Sequence, residues 1–296
     1  MTRITQVSRN RLVLSDMQAN LSRAVGYQSQ LSSGKRVQVM SDDPAAARRA
    51  LMFRVQEQRN RDFVANIDRS LSMLDATDQA LTEMTTVLDE AKTMAVQGAT
   101  GSQSAASRRA LAASVDGLIA RMMDLGNTVH DGRFLFGGTE VHTRPFSLDP
   151  DGQRVRYHGD LDAFSVAIGP NSMAQVNSNG HALFLDKTDV FASLIDLREA
   201  LLDDDPQRIG DLIEDLDQVH EHVTAQQGTL GGRMQRLELT RSQLEQAEAR
   251  LQEQVSREVD ADMTEVIMRF QAAQVALEAG LQAGARVMQP SLLDYI

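Results

Sequence analysis

Near its start the chain places Val7, Leu14 and Leu21 seven residues apart, with Ile4 and Val25 beside them. Near its end Met263, Phe270 and Leu277 repeat the same interval, flanked by Ile267 and Leu281. An apolar residue at every seventh position is the pattern of a helix that packs along another helix. Both ends therefore predict helices whose stripes need cover, from each other and from neighbouring subunits. The expected assembly interface comprises these ten residues together with Leu31, Tyr295 and Ile296.

Between the ends the pattern marks further elements. The first helix is predicted from about Thr5 to Ser33. It stops at Gly34, which accepts the left-handed backbone that closes helices, and Lys35 and Arg36 suit its negative end. Ser41-Asp42-Asp43-Pro44 restarts the chain as a helix-turn-helix link. Asp43 is a good N-cap, and Pro44 fits the first helical position because an N–H there would have no acceptor. The second helix carries Ile67, Leu71, Leu74, Leu81 and Leu88 on one stripe and ends at Gly98. After a turn at Thr100 to Ser104, Leu111, Val115, Leu118, Met122, Leu125 and Val129 keep unbroken 4-3 spacing, a third helix folded back on the second.

From His130 the helical period is lost. Arg133-Phe134-Leu135-Phe136, Gly137-Gly138 and Thr143-Arg144-Pro145-Phe146 read as strand broken by turn residues, and Asp149-Pro150-Asp151-Gly152 is a strong turn. Arg154 to Tyr157 and Phe164 to Ile168 alternate as strands, and Asn177-Ser178-Asn179-Gly180 turns again. A small antiparallel sheet region of about fifty residues is expected. Helix returns near Asp189 with Phe191, Leu194, Ile195, Leu197 and Leu201. It pauses at Asp203-Asp204-Asp205-Pro206, where Asp205 caps the restart, and continues through Ile209, Leu212, Ile213 and Leu216. Beyond Gly228 and Gly231-Gly232, Met234, Leu237, Leu244, Leu251 and Val255 form another stripe. The repeat slips at Val259 to Asp262, which marks a bend or a change of partner. The fold class is mainly α with a small β domain: a long antiparallel helical bundle or coiled coil formed by both chain ends, with an inserted antiparallel β domain.

Composition narrows the chemistry. With nine Phe, three Tyr and no Trp in 296 residues, packing must rest on Leu, Val, Ile, Ala and Met, the stock of helix–helix seams. A net charge of -11 argues against nucleic acid and an anionic membrane as main partners. The absence of cysteine removes disulfides, thiolate zinc sites and cysteine nucleophiles. The first seventeen residues hold no apolar run longer than Leu12-Val13-Leu14, and no 18-residue apolar span occurs. The chain is expected either to stay in the cytoplasm or to leave by a route that reads no such signal.

No catalytic, cofactor or metal constellation is expected. Gly34-Lys35 lacks the earlier glycine of a phosphate loop and has Arg36 where Ser or Thr would bind magnesium. His220 and His222, two apart on a helix, point to different faces, whereas ligand pairs want a spacing of four. His130, His142 and His158 around the sheet have no acidic companion at ligand spacing. Asp203 to Asp205 read as a solvated cap.

Leu31-Ser32-Ser33-Gly34-Lys35-Arg36-Val37 followed by Ser41-Asp42-Asp43-Pro44-Ala45-Ala46 resembles the N-terminal hallmark of the bacterial flagellin superfamily. Within it, Gly132-Arg133-Phe134-Leu135-Phe136-Gly137-Gly138-Thr139, Thr143-Arg144-Pro145-Phe146, Val155 to Asp160 and the ending Ser291 to Ile296 are more similar to the hook–filament junction branch than to flagellin. That resemblance implies a structural axial subunit exported through the flagellar type III channel. Its implied partners are hook-associated protein 1, flagellin, copies of itself in a ring, and a cytoplasmic export chaperone covering the C-terminal stripe. It also implies layers: 1–43 with 257–296 as a terminal coiled-coil core, 44–140 with 188–256 as a helical bundle with a β-hairpin, and 141–187 as a small β domain. The rival expectations are flagellin itself, a cytoplasmic helical scaffold and a metal-dependent enzyme using the sheet histidines. A last expectation is that the ends become fixed only when neighbouring subunits cover them, since one thin helix pair buries little.

Overall fold

A computed structural model of the protein describes residues 6–186 and 188–288. Seven helices and six short strands follow one another among them: α1 (Gln6–Ser33), α2 (Pro44–Ala99), α3 (Ala105–Gly126), β1 (Val129–His130), β2 (Arg133–Phe134), β3 (Phe146–Leu148), β4 (Val155–Tyr157), β5 (Ser165–Gly169), β6 (Ser172–Gln175), α4 (Gly180–Phe184), α5 (Val190–Leu202), α6 (Pro206–Val259) and α7 (Met263–Met288). They fall into two compact units, residues up to Arg59 with those from Ala247 onward, and Asn60–Gln246. Helices α2 and α6 contribute to both.

The Asn60–Gln246 unit holds the large core. Ile67, Leu74, Leu81, Met84 and Leu88 of α2 are buried with Val115 and Met122 of α3, Leu194 and Leu201 of α5, and Leu216 and Val223 of α6. At one end of this core the rings of Phe136, Phe146, Phe184 and Phe191 meet, Phe146 and Phe184 at 4.7 Å and Phe184 stacked on Phe191 at 5.3 Å. Such ring pairs add to plain area burial. At the other end the buried Arg108 donates to the carbonyls of Gly98 (2.8 Å) and Thr100 (3.1 Å) and pairs with Asp204. The guanidinium thus satisfies the carbonyls that the end of α2 leaves open. Gly98 packs closely there: a Cβ would stand 2.5 Å from Leu201 Cδ2, so that side chain would have to shift.

Three local expectations need correction. Helix α3 stops at Gly126 and Val129 belongs to β1, although the 4-3 spacing runs on. The cause is Asn127: its Oδ1 accepts from Phe146 N at 2.9 Å and its Nδ2 donates to Phe146 O at 3.1 Å, so the side chain acts as a strand neighbour. Next, the strands form three separate two-stranded antiparallel sheets, β1-β2, β3-β4 and β5-β6, rather than one continuous sheet. Leu135 and Phe136, read as strand, are buried outside it. Amides again close the free edges: Asn66 Nδ2 reaches Ala167 O at 3.0 Å, and Asn177 bridges Phe164 N at 2.9 Å and Asp162 O at 3.0 Å. Finally, the turn expected at Asn177 to Gly180 opens the short helix α4, with Asn179 Oδ1 accepting from His181 N at 2.8 Å. Gly180 approaches too closely for any side chain, its Cβ position lying 2.4 Å from Phe136 O.

Helix α6 runs unbroken through Gly228, Gly231 and Gly232. Glycine costs about 1 kcal/mol in a helix interior, but Val223, Leu230 and Leu237 are buried on the same stripe and hold it. Tyr157 fastens β4 to the segments that follow β2 and β4: its hydroxyl lies 2.9 Å from Phe136 O and 3.0 Å from Asp160 O. Burial and the nearby Asp160 charge push its pKa up to about 12. Asp160 in turn accepts from Thr139 N at 2.8 Å, across from Gly138 in its left-handed conformation.

Candidate assembly interface

In the unit of the two chain ends, α1 and α7 lie side by side and antiparallel. Their contact is set by spacing. Val13, Met17, Asn20, Ala24 and Tyr27 of α1 are buried or half-buried at intervals of four and three, and so are Val266, Phe270, Ala273, Leu277, Gly280 and Gly284 of α7. Gly284 lies beneath Met17, where a Cβ would meet the methionine Cε at 2.1 Å, and Gly280 faces Asn20 and Met17. Small residues bring the backbones together, as in any close helix crossing.

The seam is not the stripe that the sequence made conspicuous. Leu14, Leu21 and Val25 are exposed at 50%, 52% and 55%, and Met263, Ile267 and Leu281 at 42%, 44% and 54%. Leu31, Phe270 and Leu277 are half-buried. Ile4, Tyr295, Ile296 and the side chain of Val7 lie outside the described residues. The large residues stand one position later along α1 than the seam residues, roughly 100° around the helix, and those of α7 stand roughly 60–100° around from theirs. Both helices are right-handed and they run in opposite directions, so the two offsets turn toward the same side of the pair. Leu14, Leu21, Val25, Met263, Ile267 and Leu281 accordingly form one apolar strip straddling the seam, a surface shaped for a further helix. Sequence reading missed Val13, Met17, Ala24, Val266, Gly280 and Gly284. Their own 4-3 spacing was present, masked by larger neighbours.

A lock closes the inner end of the pair. Gly34 takes φ +70 and ends α1, and Asp43 Oδ1 accepts from Ala46 N at 3.0 Å to start α2 at Pro44. Asp42 Oδ2 accepts from Gln38 N (2.9 Å) and Val39 N (3.0 Å), folding the link on itself. Opposite it, Asp260 to Asp262 break α6 from α7, and Asp262 caps the new helix through Thr264 N at 2.9 Å. The two breaks face each other. Arg36 N and Val37 N donate to Val259 O at 2.8 and 3.1 Å, and Ala261 N to Gly34 O at 2.9 Å. Arg49 grips both oxygens of Glu258 at 2.9 and 2.7 Å, and Arg36 pairs with Asp43 at 3.0 Å. The Arg49 hydrogen bond holds the Glu258 carboxyl below its usual range, and backbone N–H donors, from Val39 to Asp42 and from Ala46 to Asp43, do the same for that pair. The slip in the repeat is therefore a designed joint, with buried Val37 and Val259 at its centre.

The histidines do not converge. His130 meets Ser72 at 3.1 Å, His158 meets Ser147 at 2.7 Å, His222 meets the Ala182 carbonyl at 3.1 Å, and His220 lies 3.5 Å from Asp89. Among the described residues no helix is long and apolar enough to cross a membrane.

Residues 5–141 match the bacterial flagellin N-terminal helical region and residues 213–296 its C-terminal helical region. Flagellar hook-associated protein 3 of Escherichia coli is 26% identical over 53% of this chain and 49% of its own length, so the chain spans about half the length of that relative. The flagellar filament 33 kDa core protein of Treponema phagedenis is 24% identical over 88% of this chain and 86% of its own. The solved flagellar hook-associated protein-3 of Legionella pneumophila has the same fold, with a TM-score of 0.62 at 14% identity, over 68% of this chain and 98% of that one. With both helical regions matched over well more than half of its length, and the two ends paired as helices, the chain belongs to the bacterial flagellin family.

Proposed function

We propose that this protein is a structural, non-catalytic subunit of the bacterial flagellum that forms the junction between hook and filament. One observation carries the reading: the pair α1–α7 leaves an apolar strip, Leu14, Leu21, Val25, Met263, Ile267 and Leu281, uncovered on one side. Monomeric soluble proteins rarely keep such a strip in water, whereas helices of neighbouring subunits would bury it. The E. coli relative named a hook-associated protein supports the position in the axis. In this reading copies of the chain form a ring, hook-associated protein 1 lies on the hook side and flagellin on the filament side. An export chaperone covers the C-terminal stripe until the chain passes through the type III channel. The layers expected from sequence, 1–43 with 257–296 innermost and 141–187 outermost, belong to the same proposal.

A second reading, filament subunit, is favoured by the Treponema filament core protein, whose match covers nearly the whole chain. Deleting the gene separates the two. The junction role predicts hooks without filaments and monomeric flagellin in the medium. Filaments of normal length, built from another flagellin, would refute it.

A further inference from the structure

The start of α2 carries a second outward face that the terminal stripes do not include. Arg48, Leu51, Met52, Val55 and Arg59 follow the spacing that keeps side chains on one side of a helix, and all five are exposed, Leu51 at 51%, Met52 at 65% and Val55 at 47%. Ala46 and Ala50, on the other side, are buried. Arg49 next door is committed to Glu258, while Arg48 and Arg59 have no ion-pair partner among the described residues. Three large apolar side chains between two unpaired guanidinium groups suit an acidic surface better than bulk water.

Helix α6 presents such a surface. Asp211, Glu214, Asp215, Gln218 and Glu221 share one side of it and are all exposed. The acids among them have no ion-pair partner among the described residues, whereas Asp217 beside them is taken by Lys92. The two faces match in length: Arg48 to Arg59 covers about 16 Å and Asp211 to Glu221 about 15 Å at 1.5 Å per residue. Charge is segregated in the same sense. The unit of the chain ends has 14 Lys and Arg against 12 Asp and Glu, and Asn60–Gln246 has 16 against 29.

Both faces are exposed within one chain, so neither covers the other. We propose that the Arg48–Arg59 face of α2 docks on the Asp211–Glu221 face of α6 in a second copy of this chain. Because every copy carries both halves, the contact is head-to-tail and repeats, as a ring or an axial stack requires. Arginine forks meet the carboxylates, and the methylene arms of Glu214 and Gln218 lie over Leu51, Met52 and Val55. The inference rests on the assembly reading but uses none of its terminal residues.

Charge exchange tests it. Arg48→Glu with Arg59→Glu should cut incorporation into flagella about tenfold or more, and so should Asp211→Arg with Asp215→Arg. All four together should restore at least about half, since opposite charges meet again with sides exchanged. Unchanged circular dichroism would show that the exposed substitutions leave the fold intact. The chain has no cysteine, so a Met52→Cys copy mixed with an Asp215→Cys copy should give a disulfide-linked dimer in isolated flagella, while Met52→Cys with Gln235→Cys should not. Failure of the fourfold exchange to restore, or equal cross-linking to Gln235→Cys, would overturn the contact. Normal incorporation of the Arg48→Glu, Arg59→Glu variant would sink the contact alone; absence of the unaltered protein from flagella would sink the assembly reading with it.

Discussion

Residues 60–246 close their core over Phe136, Phe146, Phe184 and Phe191, whereas α1 and α7 meet over Ala24, Ala273, Gly280 and Gly284. In the first case the four phenylalanine rings point inward and are fully buried. In the second, glycine and alanine share the seam with Met17, Val266, Phe270 and Leu277, while Leu14, Leu21, Ile267 and Leu281 stand exposed beside it. The hydrophobic effect acts alike on both, at about 25 cal/mol per Å² of apolar area. The difference lies in where the area is buried: within the chain for one unit, and for the other partly within the α1–α7 seam and, in the proposed function, partly against another molecule. A unit built in the second way is complete as an architecture and incomplete as an energy.

The comparison can be broken or sharpened by mutation. Phe146→Ala should have the largest effect, a loss of about 3–5 kcal/mol for an aromatic ring removed from a full core. Hydrogen exchange of α3 amides would report it, with α1 and α7 unchanged; equal loss in α7 would show that the two units do not hold themselves separately. Gly284→Leu should cost about 1–3 kcal/mol by overpacking against Met17, seen as faster exchange in α1 and α7 only. The acid response should be smaller and confined to the joint. Asp42, Asp43 and Glu258 all have pKa values held down, so their contribution is present above the ordinary carboxylate range and lost as pH falls through the lowered values. The amides of Val37 and Ala261 should then lose protection before those of α3 as the solution is acidified. Smallest for the monomer, Leu21→Ser with Ile267→Ser should change stability by no more than about 0.5 kcal/mol, as exposed substitutions do. The same variant should fail to enter flagella, and normal entry would remove the strip from the interface. Exchange in the free monomer should also be faster in α1 and α7 than across Ile67 to Leu88, where the core is deep.

Much of this was legible in the chain. Gly34 and Asp43-Pro44 announce their roles because a left-handed residue and a first-turn proline are local requirements, met by few residue types. The long stripe from Ile67 to Leu88 is legible for a related reason: its large residues are the buried ones. The end of α3 was not legible, because the spacing continues to Val129 and only the distant backbone of Phe146 gives Asn127 a better use than helix. The small sheet region expected over about fifty residues divided in three, with the amides of Asn127, Asn66 and Asn177 rather than further strands beside Phe146, Ala167 and Phe164. Within the candidate interface the conspicuous stripe was legible, but not that Leu14, Leu21, Val25, Met263, Ile267 and Leu281 stand exposed beside the α1–α7 seam. Leu14 and Met17 both repeat with helical period, and period alone does not say which of two adjacent faces meets the partner.

What the sequence determined by itself is what neighbouring residues decide: helix lengths and stops, the joint at Gly34 to Pro44, the slip at Val259 to Asp262, and two ends with more apolar surface than one contact can bury. What only the tertiary structure decided is which face goes where. Close approach favours glycine and alanine between α1 and α7, since shortening the interhelical distance brings whole backbones into contact, and that choice turns the leucines outward. The same reason joins the two breaks, since Val259 O can accept from Arg36 N and Val37 N, and Gly34 O from Ala261 N, only once both helices are in place.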